Sequence, residues 1–471
     1  MVLTQPGADL QGDDVAVRQA VADGFPAAVA TLGELIRIPS IAFPGFDPEQ
    51  VQRSAAAVAE HARATGAFDL VEVRRAPAAG GGTGNPAVVA RRDPAPGAPT
   101  VLLYAHHDVQ PPGPDDAWAS PPFIPTVRGE RLYGRGASDD KAGVVTHLAA
   151  IRALLAVTAG APRIGLALFV EGEEEAGSSS FDAFLAQNAD TLAGDLIVVA
   201  DSDNAAVGTP SLTTSLRGNV TMTVTVATMD HASHSGMYGG AVPDAMLATV
   251  TLLATLWDPQ GTVAVAGLAG SFDALADADP SAPAHLARDA GLLPGVRPIG
   301  GGSVADRLWR GPAITVTGID APDVRNASNT LQGSVRVRIS ARVGPGVRAA
   351  DAAAALTAHL RAHAPFGAHI DVADVDSAEP YLADTGGAAA TAALGALRDA
   401  WGAEPAQTGV GGSIPFLATL SRTFPDAQIL ITGVEDPDTR AHAPDESQHL
   451  GVLHRAVLAE ALLLARLDRD R

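Results

Sequence analysis

The sequence contains no cysteine. This absence excludes disulfide bonds, thiolate zinc sites and a cysteine nucleophile, because each of them needs a thiol sulfur. A metal ion bound by this chain would therefore be held by histidine, aspartate or glutamate. The chain has 13 histidines and 53 acidic residues from which such a site can be built.

Basic residues are scarce: 32 lysines and arginines stand against the 53 acids, which gives a net charge of −21. Phosphate binding needs a cationic surface, so we expect no nucleic-acid partner. No hydrophobic run approaches the roughly 18 residues of a membrane span, so we expect no membrane partner. The N-terminus lacks the basic and then apolar segments of a signal peptide, and we therefore expect a cytoplasmic protein.

What is present is a globular composition, with 46% hydrophobic and 18% charged residues over 471 positions. A chain of this length exceeds one ordinary core, so two domains are expected. Helical patterns at 139–157 and 178–192 alternate with short apolar runs. These runs lie at 100–108, 163–175, 195–203 and 427–433. Continuous apolar strands between helices predict an α/β domain whose mostly parallel central sheet is covered on both faces.

The middle of the chain has a different pattern. Residues 219–230 and 333–344 alternate apolar and polar side chains with a period of two, which is typical of antiparallel strands with one face in solvent. Residues 241–257 supply a helix for the other face. We therefore predict an α+β domain inserted into the α/β domain. The predicted bounds are 218–378 for the insertion, and 1–217 and 379–471 for the two parts of the surrounding domain.

The first three predicted buried strands end in side chains that can bind metals, and the fourth is followed by one. They are His106, His107 and Asp108 at the end of the first, Glu171, Glu173, Glu174 and Glu175 at the end of the second, Asp201 and Asp203 at the end of the third, and His442 in a loop beyond the fourth. In open α/β sheets the ligand crevice lies at the carboxyl ends of the strands. Four separate segments would thus bring nitrogen and oxygen donors to one edge of the sheet.

Each cluster taken alone also has a purely structural explanation. The cluster of His106, His107 and Asp108 is also typical of an ordinary turn, and Asp139 or Asp140 is typical of the N-cap of a helix. The glutamates at 171–175 suit a solvated acidic loop, and His442 suits an exposed surface. The functional alternative is that a cation removes the repulsion among the glutamates, while a carboxylate without a metal acts as a general base on water.

Two of these residues are related by strand geometry. His106 and Asp108 are two positions apart on an extended segment, so both side chains point to the same side, and His107 points to the opposite side. A metal-binding histidine usually needs a partner on its second ring nitrogen, and Asp108 is placed for that role.

Six motifs, in this order, resemble those of the di-zinc exopeptidases and deacylases related to carnosinase, bacterial dipeptidases, carboxypeptidase G and acetylornithine deacetylase. The resemblance extends from about residue 35 to residue 465. The motifs are "HHDVQPP", "LYGRGASDDKAG", "EGEEEAGS", "SHSGMYGG", "GGSIP" and "AHAPDE". The resemblance implies a zinc-exopeptidase catalytic domain interrupted by a lid and dimerisation domain. It also implies two Zn²⁺ ions per chain, with Mn²⁺ or Co²⁺ as possible substitutes.

The resemblance assigns metal ligands. His106 and Asp201 would hold one zinc ion, Glu175 and His442 would hold the other, and Asp139 would bridge both. In two-metal hydrolytic sites the ions are about 3.5–4 Å apart.

The resemblance assigns catalytic roles as well. Glu174 would be the general base that takes the proton from the bridging water, and Asp108 would orient His106. The peptide bond after the bridging aspartate is cis in such proteins, so the Asp139–Asp140 bond is expected to be cis.

Substrate-binding residues are implied in the same way. His234 would bind substrate and stabilise the oxyanion, and in dimeric relatives this histidine reaches the active site of the other subunit. Arg342 would bind the substrate carboxylate, although a solvated arginine on the wet face of a strand is the alternative. Gly412 and Ser413 would form the complementary carboxylate-binding loop. A homodimer formed through the inserted domain is thus expected.

Asp201 separates two branches of this family, because dipeptidase-like members carry aspartate here and the deacylases tend to carry glutamate. We therefore predict a metal-dependent exopeptidase that hydrolyses dipeptides or short peptides with a free C-terminal carboxylate. The alternatives are an N-acyl-amino-acid deacylase with the same site and a catalytically silent binding protein. A calcium-stabilised structural domain is disfavoured, because His106 and His442 are poor calcium ligands.

Overall fold

The computed structural model describes residues 8–270, 282–411 and 415–469. The helices are α1 (Ala8–Ile36), α2 (Pro48–Thr65), α3 (Lys141–Val157), α4 (Phe181–Leu192), α5 (Ser235–Tyr238), α6 (Ala245–Ala254), α7 (Ala282–Asp289), α8 (Ala349–Ala362), α9 (Ala388–Trp401), α10 (Pro415–Thr423) and α11 (Leu450–Arg469). The strands are β1 (Leu70–Arg74), β2 (Ala87–Arg92), β3 (Thr100–His106), β4 (Thr126–Arg128), β5 (Arg131–Tyr133), β6 (Gly165–Glu171), β7 (Leu196–Val199), β8 (Ser211–Leu216), β9 (Gly218–Ala227), β10 (Ser233–His234), β11 (Ala313–Asp320), β12 (Thr330–Leu331), β13 (Ser334–Val343), β14 (His369–Ala378), β15 (Tyr381–Leu382), β16 (Ala406–Val410), β17 (Gln428–Thr432) and β18 (Ser447–His449). In the part of the chain described here, no helix is both long and apolar enough to cross a membrane.

The chain divides into two compact units. The first comprises residues up to 214, then 383–408 and 419 onward, and the second comprises 215–382 and 409–418. The second unit includes the segment predicted as the insertion, 218–378, together with residues 409–418, which the sequence predicts as part of the surrounding domain. Within the second unit, Arg217 Nε donates to the carbonyl of Gly411 at 3.1 Å.

A mostly parallel sheet forms the centre of the first unit. Its strands follow the order β1-β2-β6-β3-β7-β17-β8. The four inner strands, β6, β3, β7 and β17, pair in parallel, and they are the four strands that the apolar runs predicted. The predicted α/β fold with a mostly parallel sheet is therefore confirmed.

Both faces of this sheet are covered. On β3, Val101, Leu103 and Ala105 belong to the apolar core that α1, α3 and α11 build on one face. Between them, Tyr104 points to the other face, where its ring lies 5.4 Å from that of Phe169. Because every residue of β3 and β6 is buried, the strands lack the polar alternation of a half-exposed sheet.

The second unit is built on an antiparallel sheet with the order β11-β13-β9-β14. Alternate residues of β9 are buried, which is the period of two that the sequence predicted. Helices α6 and α8 supply the other side of the core, with Leu252 and Leu356 packed among the strand residues Val224 and Ile339. The polar face of this sheet carries the arginines of β13.

Candidate metal centre

Five side chains meet at the carboxyl ends of β3, β6 and β7, in the turn before α3 and in the loop after β17. His106 Nε2 lies 3.0 Å from Asp139 Oδ1 and 3.8 Å from Asp201 Oδ1. His442 Nε2 lies 2.9 Å from Asp139 Oδ2 and 3.2 Å from Glu175 Oε2. They form two groups that share Asp139, and in each group the potential ligand atoms lie within 4.8 Å of one another.

The turn that carries Asp139 is held by a buried acid. The carboxylate of Glu446 accepts the backbone N–H groups of Gly136 at 3.0 Å, Ser138 at 3.0 Å and Asp139 at 3.2 Å. Its charge is balanced by Arg135, whose guanidinium donates to it at 2.6 Å. The Asp139 carboxylate is therefore presented by a turn whose backbone donors are already satisfied.

The neighbouring aspartate has a different function. Asp140 caps α3, because its side chain accepts the backbone N–H of Gly143 at 3.1 Å, and it also accepts the N–H of His106 at 3.1 Å. The N-cap explanation thus holds for Asp140, while Asp139 faces the two histidines. The Asp139–Asp140 peptide bond is cis, as the resemblance implied.

Asp108 connects the first histidine to the glutamate loop. Its carboxylate lies 3.4 Å from His106 Nδ1 and accepts the backbone N–H groups of Glu174 and Glu175 at 3.1 Å each. A proton on His106 Nδ1 would leave the Nε2 lone pair free for a metal ion. His107 points the opposite way, as strand alternation predicted, with its Nε2 2.9 Å from the carbonyl of Pro86.

Two of the four glutamates are structural. Glu171 accepts the hydroxyl of Tyr104 at 2.6 Å, and burial raises its pKa to about 8. Glu173 accepts the backbone N–H groups of Asn85 and Ser180. Both are buried rather than solvated, which differs from the acidic loop that composition alone suggested. The remaining two, Glu174 and Glu175, lie beside the histidines.

Burial of like charges perturbs the acids of the centre. Desolvation raises the pKa of Glu174 well above its usual range; His106 opposes this shift and Asp201 adds to it. Desolvation likewise raises the pKa of Asp201 to about 7. The carboxylates of Asp139 and Glu175 raise the pKa of His442 to about 10. The pKa values of these groups thus depend on one another's charges, and a cation bound among the carboxylates would be stabilised by them.

The donor set fits divalent transition ions. Two imidazoles and three carboxylates are the mixed nitrogen and oxygen ligands that Zn²⁺, Mn²⁺ and Co²⁺ accept. Among the described residues, the ion pairs of Asp139, Glu175 and Asp201 are all made with histidines. Because no arginine or lysine occupies these pairs, the carboxylate charge is available to cations.

The predicted substrate-binding residues belong to the second unit. His234 is exposed, and its Nδ1 accepts the N–H of Gly236 at 3.0 Å. Arg342 is half-buried near the end of β13. Burial, together with the charge of Arg342, lowers the pKa of Arg217 to about 10. The two remaining predicted residues, Gly412 and Ser413, lie outside the described residues.

Sequence reasoning missed two residues that contact the centre. Gln110 Nε2 donates to Glu175 Oε2 at 2.6 Å, and Glu446 holds the turn of Asp139. Both stand inside motifs already singled out, "HHDVQPP" and "AHAPDE". Gln110 is two positions beyond Asp108, so the same alternation that related Asp108 to His106 was the available signal for it.

Comparison with known proteins identifies similar sequences over most of the chain. The sequence model of the family described as Peptidase family M20/M25/M40 matches residues 102–466. The cysteinylglycine-S-conjugate dipeptidase of Corynebacterium striatum is 35% identical over 381 residues, which are 80% of this chain and 83% of that protein. The Beta-Ala-His dipeptidase of Rattus norvegicus is 27% identical over 77% of this chain and 75% of that protein.

Solved structures with the same fold include two dipeptidases. Dug1p from Saccharomyces cerevisiae matches with a TM-score of 0.75 and 21% identity, over 97% of this chain and 99% of that chain. Human carnosine dipeptidase 1 matches with a TM-score of 0.71 and 23% identity, over 99% of this chain and 100% of that chain.

Proposed function

We propose, from the premise that this chain belongs to peptidase family M20/M25/M40, that the five clustered side chains are the metal centre of a dipeptidase. The chain is a hydrolase, and its activity is metal-dependent hydrolysis of dipeptides, since relatives along most of its length are named as dipeptidases. The observation that carries the site assignment is the Asp139 carboxylate, which is shared by two groups of potential ligands.

In this assignment His106 and Asp201 would hold one divalent cation, Glu175 and His442 would hold the other, and Asp139 would serve both. The shared role of Asp139 is supported by its two oxygens, which face different histidines at 3.0 and 2.9 Å. We propose Zn²⁺ at both positions, with Mn²⁺ or Co²⁺ as substitutes. Bound there, the cations supply Lewis acidity to the scissile carbonyl and acidify an attacking water.

Glu174 is the proposed general base. It takes the proton of the attacking water and passes it to the leaving amine. In the protein without metal ions burial raises the pKa of Glu174 above its usual range, and the charge of bound cations would oppose that shift. Asp108 couples the base to the ligands, because its carboxylate binds the backbone N–H of Glu174 and lies beside the ring of His106.

Substrate recognition is assigned to the second unit. His234 stabilises the oxyanion, and Arg342, with Gly412 and Ser413, binds the C-terminal carboxylate of the substrate. The charge of Arg342 acts on Arg217, so two cations stand in one region of this unit, and this supports an anion-binding role. A free C-terminal carboxylate on a short peptide is the ligand that such a region would select.

A homodimer formed through the second unit is proposed as well. Helix α6 is apolar on more than its buried face, since Leu247 and Val250 are exposed by 52% and 58%. Met237 and Tyr238 of the adjacent α5 are also exposed. Exposed apolar side chains on these two helices, which follow each other in the chain, support a protein-binding role for this part of the second unit. The cytoplasmic location stays a prediction from the sequence.

The test is amine release from a panel of unblocked dipeptides and of N-acyl amino acids, with protein reconstituted with Zn²⁺ or Mn²⁺. We expect hydrolysis of dipeptides and a loss of about 10²–10⁴-fold in kcat for Glu174→Gln, which keeps the shape of the base and removes its basicity. Glu173→Gln is the matched control, because among the residues described in the structure the Glu173 carboxylate binds backbone N–H groups and a hydroxyl and none of the five clustered side chains. Cleavage confined to N-acyl compounds would move the protein to the deacylase alternative.

A further inference from the structure

One hydrogen bond of the metal centre has no part in the proposed hydrolysis. Gln110 Nε2 donates to Glu175 Oε2 at 2.6 Å. The same oxygen lies 3.2 Å from His442 Nε2, so it belongs to the side of Glu175 that faces the other ligands. The Glu175 side chain is only 3% exposed, and water therefore competes little for its carboxylate.

Gln110 reaches Glu175 because the segment after β3 stays extended. Val109 anchors this segment, since its N–H donates to the carbonyl of Ser40 at 3.0 Å. Asp108 and Gln110 flank Val109 and point to the same side. Asp108 binds the backbone N–H of Glu175 at 3.1 Å, while Gln110 binds its carboxylate. One short segment thus fixes both the backbone and the side chain of one ligand.

The chemistry of the donor determines what this contact can do. A lysine or arginine at this place would neutralise the carboxylate and repel a cation. A neutral amide restricts the rotation of the carboxylate and leaves its negative charge for the cation. The two groups differ in this respect, because within the described residues the Asp201 carboxylate accepts no side-chain amide.

We propose that Gln110 is a positioning residue that sets the cation affinity of the Asp139–Glu175–His442 group and leaves that of the His106–Asp139–Asp201 group unchanged. This inference rests on the proposed function, because it requires that both groups hold divalent cations. Without the amide the Glu175 side chain rotates more freely, and ordering it then opposes binding. Partners of metal ligands typically change metal affinity by about 10–100-fold.

The experiment is a titration of the metal-free, complete chain with Zn²⁺ in competition with a chromophoric chelator. It yields the stoichiometry and both dissociation constants without any substrate. The variants are Gln110→Ala and Gln110→Met, of which the second keeps the length of the side chain and removes the donor. Gln19→Ala is the matched control, since Gln19 Nε2 donates to Asp23 Oδ1 at 2.8 Å on an exposed helix surface.

We expect two sites in the wild-type chain. Each Gln110 variant should bind one ion about 10–100-fold more weakly and the other with a change below about threefold, whereas Gln19→Ala keeps both constants. In a His442→Ala background, where one group is already impaired, Gln110→Met should leave the remaining affinity unchanged. Circular dichroism verifies that each variant is folded, and if Gln110→Ala fails to fold, Gln110→Met decides.

Two results would overturn the inference on its own: unchanged constants in Gln110→Met, or equal weakening at both sites. A wild-type chain that binds fewer than two ions would instead overturn the proposed metal centre, and the inference with it. The stoichiometry of the wild-type protein therefore distinguishes the two failures.

Discussion

Lys141 is a buried lysine beside the metal centre, and we expect it to make the stability of the metal-free chain depend on pH. Its side chain is 0% exposed. Its Nζ donates to the carbonyl oxygens of Leu35 at 2.9 Å and Ile38 at 2.8 Å, where α1 ends. Burial lowers its pKa from 10.5 to about 7, against the weaker attraction of Glu446 and Asp108.

The sign of the effect follows from proton binding. Between pH 7 and 10.5 the unfolded chain carries a proton on Lys141 that the folded chain lacks. The free energy of unfolding therefore rises with pH in this window, by up to about 1.36 kcal/mol per unit. The total gain in the free energy of unfolding from deprotonating Lys141 is on the order of 5 kcal/mol. The gain is complete above the pKa that Lys141 has in the unfolded chain, and it is lost as the pH falls through the pKa of Lys141 in the folded chain.

The perturbation is Lys141→Met, which removes the titrating group and leaves an unbranched apolar side chain one heavy atom shorter. Urea unfolding of wild type and variant would be followed by circular dichroism from pH 7 to pH 10, with chelator present so that metal affinity does not enter. The difference between the two proteins cancels the other titrating groups. We expect wild type to gain about 4 kcal/mol relative to Lys141→Met across this range. A difference that stays constant with pH would refute the reasoning, because it would mean that Lys141 remains charged in the fold.

Two further predictions concern packing and a buried ion pair. Gly172→Ala should lower the free energy of unfolding, measured by chemical denaturation, by about 1–3 kcal/mol, because the added Cβ would lie 2.8 Å from the His107 ring. Gly208→Ala is the control: its added Cβ would have no heavy atom within 4 Å, so the free energy of unfolding should stay nearly unchanged. Equal changes in the free energy of unfolding for Gly172→Ala and Gly208→Ala would contradict the steric explanation. Burial lowers the pKa of His147, but Glu460 raises it by more, so the pKa in the folded protein lies above the ordinary histidine value. The ion pair therefore stabilises the fold at a pH below the ordinary histidine pKa. This stabilisation is lost as the pH rises through the pKa that His147 has in the folded protein. The Tm of wild type relative to Glu460→Gln should therefore fall as the pH rises above about 6.5, and parallel Tm curves would exclude the pair as the cause.

The central sheet was predictable because its signal is local. Strands β3, β6, β7 and β17 are continuous apolar runs, and a strand buried on both faces needs such a run whatever surrounds it. The insertion was predictable for a similar reason, since a period of two marks a sheet with one wet face. The hydrogen bond from Arg217 to the carbonyl of Gly411 joins residues that are distant in the chain, and such contacts leave no pattern in the sequence.

The candidate site was predictable to a different degree. The resemblance of the motifs named His106, Asp139, Glu175, Asp201 and His442, and the structure brings these five together. Residue type alone did not separate Asp139 from Asp140, or Glu171 from Glu174. Those distinctions depend on which hydrogen-bonding partners lie within reach, and the partners come from distant segments: the backbone N–H of His106 donates to Asp140, and the hydroxyl of Tyr104 donates to Glu171.

The sequence by itself determined the class of the fold, the order of its elements and the chemical types of the ligands, because strand burial, helix periodicity and side-chain chemistry are properties of short segments. The tertiary structure decided which carboxylates remain available to cations and which make hydrogen bonds within the fold. Asp140 caps a helix, and Glu171 accepts a tyrosine hydroxyl. Gln110 and Lys141 obtained their roles only through contacts made across 65 and 106 residues of chain. The physical reason is that a buried polar group takes its properties from the partners that packing provides.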